Sequence, residues 1–158
     1  EVKDQYRTKG IKPPQFIDLY AGQEYNPEVF EGHNYPAILV DWSIDYRNQP
    51  PIATLNFHLC YEQVRDTSSL GKNTNEALKF IDFIWITDEV LKTIETEHTG
   101  KLSLNTEGHK LDDTVVDVYD ITYQCSYSGK LAAPQTGYIK GQIENLTQRQ
   151  GLYAKLLE

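Results

Sequence analysis

A chain of 158 residues is one ordinary domain, long enough to bury a core without disulfides or structural metals. Hydrophobic residues at 39% and charged residues at 24% describe a globular chain rather than a disordered one. Fifteen Lys and Arg against 23 Asp and Glu leave a net charge of −8, which argues against recognising nucleic acid through its phosphates. No run approaches the ~18 apolar residues of a membrane span, and the N-terminus lacks the charged-then-apolar order of a signal peptide. Met is absent, and two cysteines, Cys60 and Cys125, are too few for a disulfide framework.

Residues 1–36 read as an irregular N-terminal arm, punctuated by Pro13, Pro14, Gly22, Pro27, Gly32 and Pro36. Within it, residues 16–20 are apolar enough to dock as a strand or a single turn. Residues 37–46 then alternate: Ile38, Val40, Trp42, Ile44 and Tyr46 share one face, and Leu39, Asp41, Ser43 and Asp45 share the other. Residues 53–62 repeat the pattern, with Ala53, Leu55, Phe57, Leu59 and Tyr61 against Thr54, Asn56, His58, Cys60 and Glu62. The two strands form a hairpin whose expected register pairs Tyr46 with Ala53, Ile44 with Leu55, Trp42 with Phe57, Val40 with Leu59 and Ile38 with Tyr61. A slip of one residue would set apolar side chains against polar ones.

Asn73 is a good helix N-cap, and Glu76 three residues later completes an N-x-x-E box. Ala77, Phe80, Ile81, Ile84, Leu91 and Ile94 recur at helical spacing, and Leu78, Trp85 and Val90 widen the stripe. So broad an apolar face predicts contact on two sides, with the sheet on one and another subunit on the other. The helix must end by Gly100. Residues 101–105 predict a short strand, and Gly108 and Asp112-Asp113 predict turns. Residues 114–127 predict a long strand with Tyr119, Ile121, Tyr123 and Cys125 on one face. Val116 and Val118 fall on the other face, which predicts a bulge or a strand buried on both sides near Val118. From residue 128 a C-terminal arm follows, with helical spacing of Ile143, Leu146, Leu152, Tyr153 and Leu156.

The predicted fold is therefore α+β: an antiparallel sheet of about four strands in β-β-α-β-β order, one main helix on one face, and extended arms at both ends. The domain boundaries are 1–36 for the N-terminal arm, 37–127 for the core and 128–158 for the C-terminal arm.

Chemistry-bearing motifs are few. The histidines are His33, His58, His98 and His109, none at the spacing of a helical zinc site, and no C-x-x-C occurs. His58 and Cys60 share a strand face, as any i, i+2 pair must, and a Cys–His nucleophile needs a third, orienting group. Asp41, Asp45 and Glu62 lie on the polar face of the hairpin, where the expected register sets Asp41 opposite His58. A solvated outer face explains them as well as a metal would. No catalytic residue, metal ligand or cofactor is assigned. Asn145-Leu146-Thr147 matches a glycosylation sequon. Eleven tyrosines, among them Tyr6, Tyr20, Tyr25 and Tyr35 in the N-terminal arm, suit protein interfaces, where a large apolar ring carries a polar tip. The interface candidates are Phe16, Tyr20, Tyr25 and Phe30 in that arm, Trp85 on the helix, and Leu152 and Tyr153 near the C-terminus.

The order of these segments resembles a known family. A proline opens the first strand in YPAILVDWSIDY (35–46), and ATLNFHLCYE (53–62) follows. A polar loop leads into NEALKFIDFIWITDEVLKTIE (75–95), and VVDVYDITYQCSY (115–127) closes the unit. This arrangement is similar to tail-terminator or tail-completion (head–tail joining) proteins of tailed bacteriophages, of a Bacteroidetes phage or prophage type. The resemblance implies a structural virion protein without enzymatic activity. It would be a homo-oligomer, commonly a hexameric ring, that caps the tail tube and joins it to the head–neck connector. DNA would pass through the channel without specific binding, and no membrane would be involved. Another neck or connector role, or a small ligand-binding or enzymatic domain with His58 and Asp41 at its centre, are the competing readings.

Overall fold

The computed structural model describes residues 2–26 and 35–129. In chain order these hold α1 (Val2–Thr8), β1 (Phe16–Leu19), a 3-10 turn (Gln23–Tyr25), β2 (Ala37–Asp45), β3 (Ile52–Tyr61), α2 (Thr74–Leu91), β4 (Ser103–Lys110) and β5 (Asp117–Ser126). The strands form one five-stranded sheet in the order β1-β2-β3-β5-β4. Every neighbouring pair is antiparallel except β1 with β2, which is parallel.

The fold is α+β, and the sequence-based picture of it needs three corrections. The sheet is mixed with five strands, because the N-terminal segment is not an extended arm. Phe16 pairs with Ala37 and Leu19 with Val40, and Tyr6 of α1 is buried with its hydroxyl 2.9 Å from Thr87 Oγ1 of α2. The second correction is register. Ile44 faces Ala53, Trp42 faces Leu55, Val40 faces Phe57 and Ile38 faces Leu59, two residues away from expectation. An even slip leaves every side chain on its original face, so alternation does not fix it. The turn does: the Asp45 carboxylate accepts the Arg47 backbone N–H at 2.9 Å and its guanidinium at 2.8 Å, ending β2 one residue before Tyr46. Those bonds hold the Asp45 carboxyl at about 2. The third is β4, which runs through Gly108 to Lys110 where a turn was expected, with a register shift between Leu104 and Thr106.

The helix stands where its periodicity places it, but its cap and its face differ. Asn73 makes no side-chain cap; its amide donates to the Arg65 carbonyl at 2.7 Å, and Glu76 pairs with Lys79 at 2.7 Å. The preceding loop is tight, since a Cβ on Gly71 would sit 2.1 Å from the Asp66 carbonyl oxygen. The face against the sheet carries Phe80, Phe83, Ile86, Thr87 and Leu91. Leu78, Ile81 and Trp85 are left 52%, 59% and 53% exposed. Apolar residues lie nearly all around this helix, so spacing alone does not choose the buried side.

The main core lies between α2, α1 and one sheet face. It contains Tyr6, Ile38, Phe57, Leu59, Phe83, Ile121 and Tyr123. Rings supply much of the contact: Phe57 meets Tyr123 edge-on at 5.9 Å, Tyr61 stacks on Phe80 at 5.0 Å, and Tyr6 lies 5.8 Å from Phe83. Each such buried side chain contributes about 1.5–3 kcal/mol relative to exposure. A second, smaller cluster sits on the opposite face: Ala37, Leu39, Cys60, Val116 and Val118, with Phe16, Tyr20 and Tyr35 against it. Here β5 is buried on both sides, as the change of apolar set near Val118 predicted. No helix among the described residues is long and apolar enough to cross a membrane.

Candidate functional site

The outer face, away from α2, gathers the polar side chains that strand alternation directs there. Asp41 on β2, Asn56 and His58 on β3, and Asp120 and Thr122 on β5 point the same way because pairing sets Asn56 between Asp41 and Thr122 and His58 beside Asp120. His58 is bonded at both ring nitrogens: Nδ1 is 2.7 Å from Asp120 Oδ1 and Nε2 is 3.1 Å from Asp41 Oδ2. Asn56 donates its amide to Asp41 Oδ1 at 2.7 Å and accepts the Thr122 hydroxyl at 3.0 Å. One chain of hydrogen bonds therefore crosses three strands. Asp41 is a diagonal neighbour of His58; Leu39 is its direct partner.

Burial works against the charge of His58, yet the hydrogen bonds and charges of Asp120 and Asp41 outweigh it, and the imidazole pKa is raised. The geometry is that of an imidazolium donating both N–H groups to carboxylates. Such a ring has no free nitrogen with which to take a proton from a nucleophile. Cys60 does not pair with it either, since its thiol lies 3.8 Å from the His58 backbone carbonyl. Burial, aided by the Glu24 and Asp120 charges, pushes that thiol up to about 12, far from thiolate chemistry.

Tyr20 closes this network from above. Its ring stacks on His58 at 4.1 Å between centroids, and its hydroxyl donates to Glu24 Oε1 at 2.9 Å. Burial and the Glu24 contact push the Tyr20 phenol up to about 12. The same Glu24 oxygen accepts Lys110 Nζ, from β4, at 2.9 Å. Glu24 is fully buried and Lys110 side chain is 15% exposed. Glu24 Oε2 has no hydrogen-bond partner among the described residues. Lys110 also lies 4.6 Å over the Tyr25 ring, whose hydroxyl donates to Asp112 at 2.9 Å. Burial opposes the ammonium charge, but hydrogen bonds to Tyr25 and Glu24 and the Glu24 charge keep the Lys110 pKa raised. This cluster bolts the segment after β1 to the far edge of the sheet. Its pieces are 86 residues apart in sequence, and only the tyrosines were visible as a signal.

Of the interface candidates, Trp85 is 53% and Tyr25 47% exposed. Phe16 and Tyr20 are half-buried against the second cluster. Phe30, Leu152 and Tyr153 lie outside the described residues, as does most of the C-terminal arm. Large apolar side chains absent from the expected set stand more exposed than any of the described candidates: Ile17 at 67%, Leu19 at 59%, Trp42 at 56% and Ile81 at 59%. Ile17 and Leu19 belong to an edge strand too short to announce its faces. No protein-family model matches the chain, and no curated protein matches it.

Proposed function

We propose that this chain is a structural subunit that works by binding copies of itself, in the manner its resemblance to phage tail-terminator and tail-completion proteins implies. The observation that carries this reading is the pairing of a well-filled core with large apolar side chains left outside it. Ile17, Leu19, Trp42, Leu78, Ile81 and Trp85 are each more than half exposed. Large apolar side chains left outside a filled core on more than one element mark association sites. The polar cluster around His58 supports the same reading, because its groups are spent on one another. In the resembling family the assembly is a hexameric ring between the tail tube and the head–neck connector, in the virion. An acidic chain of net charge −8 suits a channel through which DNA slides without adhering.

Negative-stain imaging and mass measurement of the purified chain test this reading. Closed rings of about six 18.2 kDa copies, binding to isolated tail tubes, are the expected result. A chain that stays monomeric alone and in the presence of tubes would refute it, and rings that bind only the head connector would favour the neck assignment.

A further inference from the structure

The two edges of the sheet are β1 and β4, and they differ in both shape and charge. Beside β4 lies an apolar groove of about 380 Å³ between α2 and the helix-side face of β4 and β5. Ala77, Phe80, Ile81 and Ile84 form its helix wall, and Tyr119 and His109 its sheet wall. On that same face Leu104 of β4, opposite Tyr123, is 40% exposed. The charge beside it is acidic: Asp117 lines the groove, and Glu107 of β4 lies against the Tyr119 phenol of its sheet wall.

The other edge is its complement. Ile17 and Leu19 project from β1 towards the helix side, 67% and 59% exposed. The preceding α1 segment, residues 2–12, carries Lys3, Arg7, Lys9 and Lys12 against Asp4, a net charge of 4 − 1 = +3. In a chain whose total is −8, this makes α1 a basic rim that precedes the two apolar knobs in the chain.

We propose that the α2–β4 groove of one copy receives the β1 edge of the next, with Ile17 and Leu19 entering the groove and the basic α1 rim meeting the acidic β4 flank. The proposal rests on the self-assembly reading and names its contact. Because the two surfaces are unlike and sit at opposite edges, the contact is heterologous and propagates head to tail, which closes a ring when the rotation per copy allows.

Two full-length variants test it. Ile17→Glu removes a knob, and Ile81→Glu blocks the groove with a good helix former. Both positions are more than half exposed, and circular dichroism checks that the fold is kept; Ile81→Gln replaces Ile81→Glu if helicity falls. Light scattering after size exclusion reads the mass. We expect the wild type to assemble, each variant to be monomeric, and an equimolar mixture of the two to give a 1:1 dimer that grows no further. Each partner would then supply the surface the other lacks. A wild type that assembles alongside variants that assemble equally well overturns the contact and leaves the self-assembly reading standing. So does a mixture of folded monomeric variants that stays monomeric. A wild type monomeric at every concentration, alone and in the presence of tail tubes, overturns both.

Discussion

Replacing Lys110 by Met isolates the ion pair that ties the N-terminal segment to the sheet. The substitution keeps the aliphatic stem and removes the ammonium, leaving the fully buried Glu24 carboxylate with the Tyr20 hydroxyl as its one remaining side-chain donor among the described residues. Removing one partner of a buried pair costs about 3–5 kcal/mol, because the surviving charge is desolvated without compensation. An independent limit comes from protonation. Neutralising a glutamic side chain of ordinary pKa, ~4.3, costs about 3.7 kcal/mol at pH 7 and about 1 kcal/mol at pH 5. The two figures agree, and together they predict a deficit of about 3–4 kcal/mol at pH 7 that shrinks to about 1 kcal/mol at pH 5. The direction follows from linkage, since the variant's folded state binds the extra proton more readily as pH falls. Against a typical domain stability of 5–15 kcal/mol, the variant stays folded and urea titration reads the loss as a shift in midpoint at constant slope. Pairing Lys110→Met with Glu24→Gln removes the buried charge and keeps an acceptor for Tyr20, so the double variant should return to within about 1 kcal/mol of wild type. A single-variant deficit below about 1 kcal/mol at pH 7, or one unchanged between pH 7 and pH 5, would refute this account of the cluster.

The His58 bridge gives stability the opposite pH dependence. Its folded pKa is raised, so its contribution is complete below the unfolded value, ~6.5, and is lost as pH rises through the folded one. Wild type should therefore weaken above pH 6.5 relative to His58→Gln, and urea midpoints across pH 5–9 check it; parallel curves for the two proteins would contradict it. Phe83→Ala empties a fully buried site in contact with the Tyr6 and Tyr61 rings. The cost should be about 3–5 kcal/mol by the same titration, and a loss under about 1 kcal/mol would mean α2 does not pack as described.

Parts of this architecture were legible in the sequence for a specific reason: a half-buried strand writes its two faces into alternate residues. That is why the hairpin faces, the buried face of β5 and the two-sided burial at Val118 could be read, and why the register could not, since a slip of two residues changes no face. α1 has seven residues, too few to carry a helical pattern of its own. β4 is exposed along nearly its whole length on both sides, so it has no apolar alternation to display. Its Gly108, with nothing within 4 Å of an added Cβ, is a strand residue in open space that composition marks as a turn. The His58–Asp41 contact was within reach because both residues lie in one hairpin. Asp120 was not, because nothing local states that β5 lies beside β3. Glu24 and Lys110 were invisible for the same cause at greater distance.

The segment around β1 couples the interior to the edge. The outer face of the sheet is apolar at one end, where Leu39, Cys60 and Val118 are fully buried, and polar at the other, where Asp41, Asn56 and Thr122 are bonded together. α2 covers only the opposite face, so the apolar end needs a cover of its own, and Phe16 and Tyr20 provide it. In a strand, side chains that turn to one face commit their neighbours to the other. Seating Phe16 and Tyr20 on the outer cluster thus obliges Ile17 and Leu19 to stand on the helix side, at the sheet's edge, beyond the reach of α2. Their exposure is a geometric consequence of the way the second cluster is closed. It follows that Phe16→Ser and Tyr20→Ser would open that cluster and confuse unfolding with loss of assembly. Substitutions at Ile17 and Leu19 alter the edge alone, so these are the positions at which an effect on oligomer mass can be assigned to contact between copies.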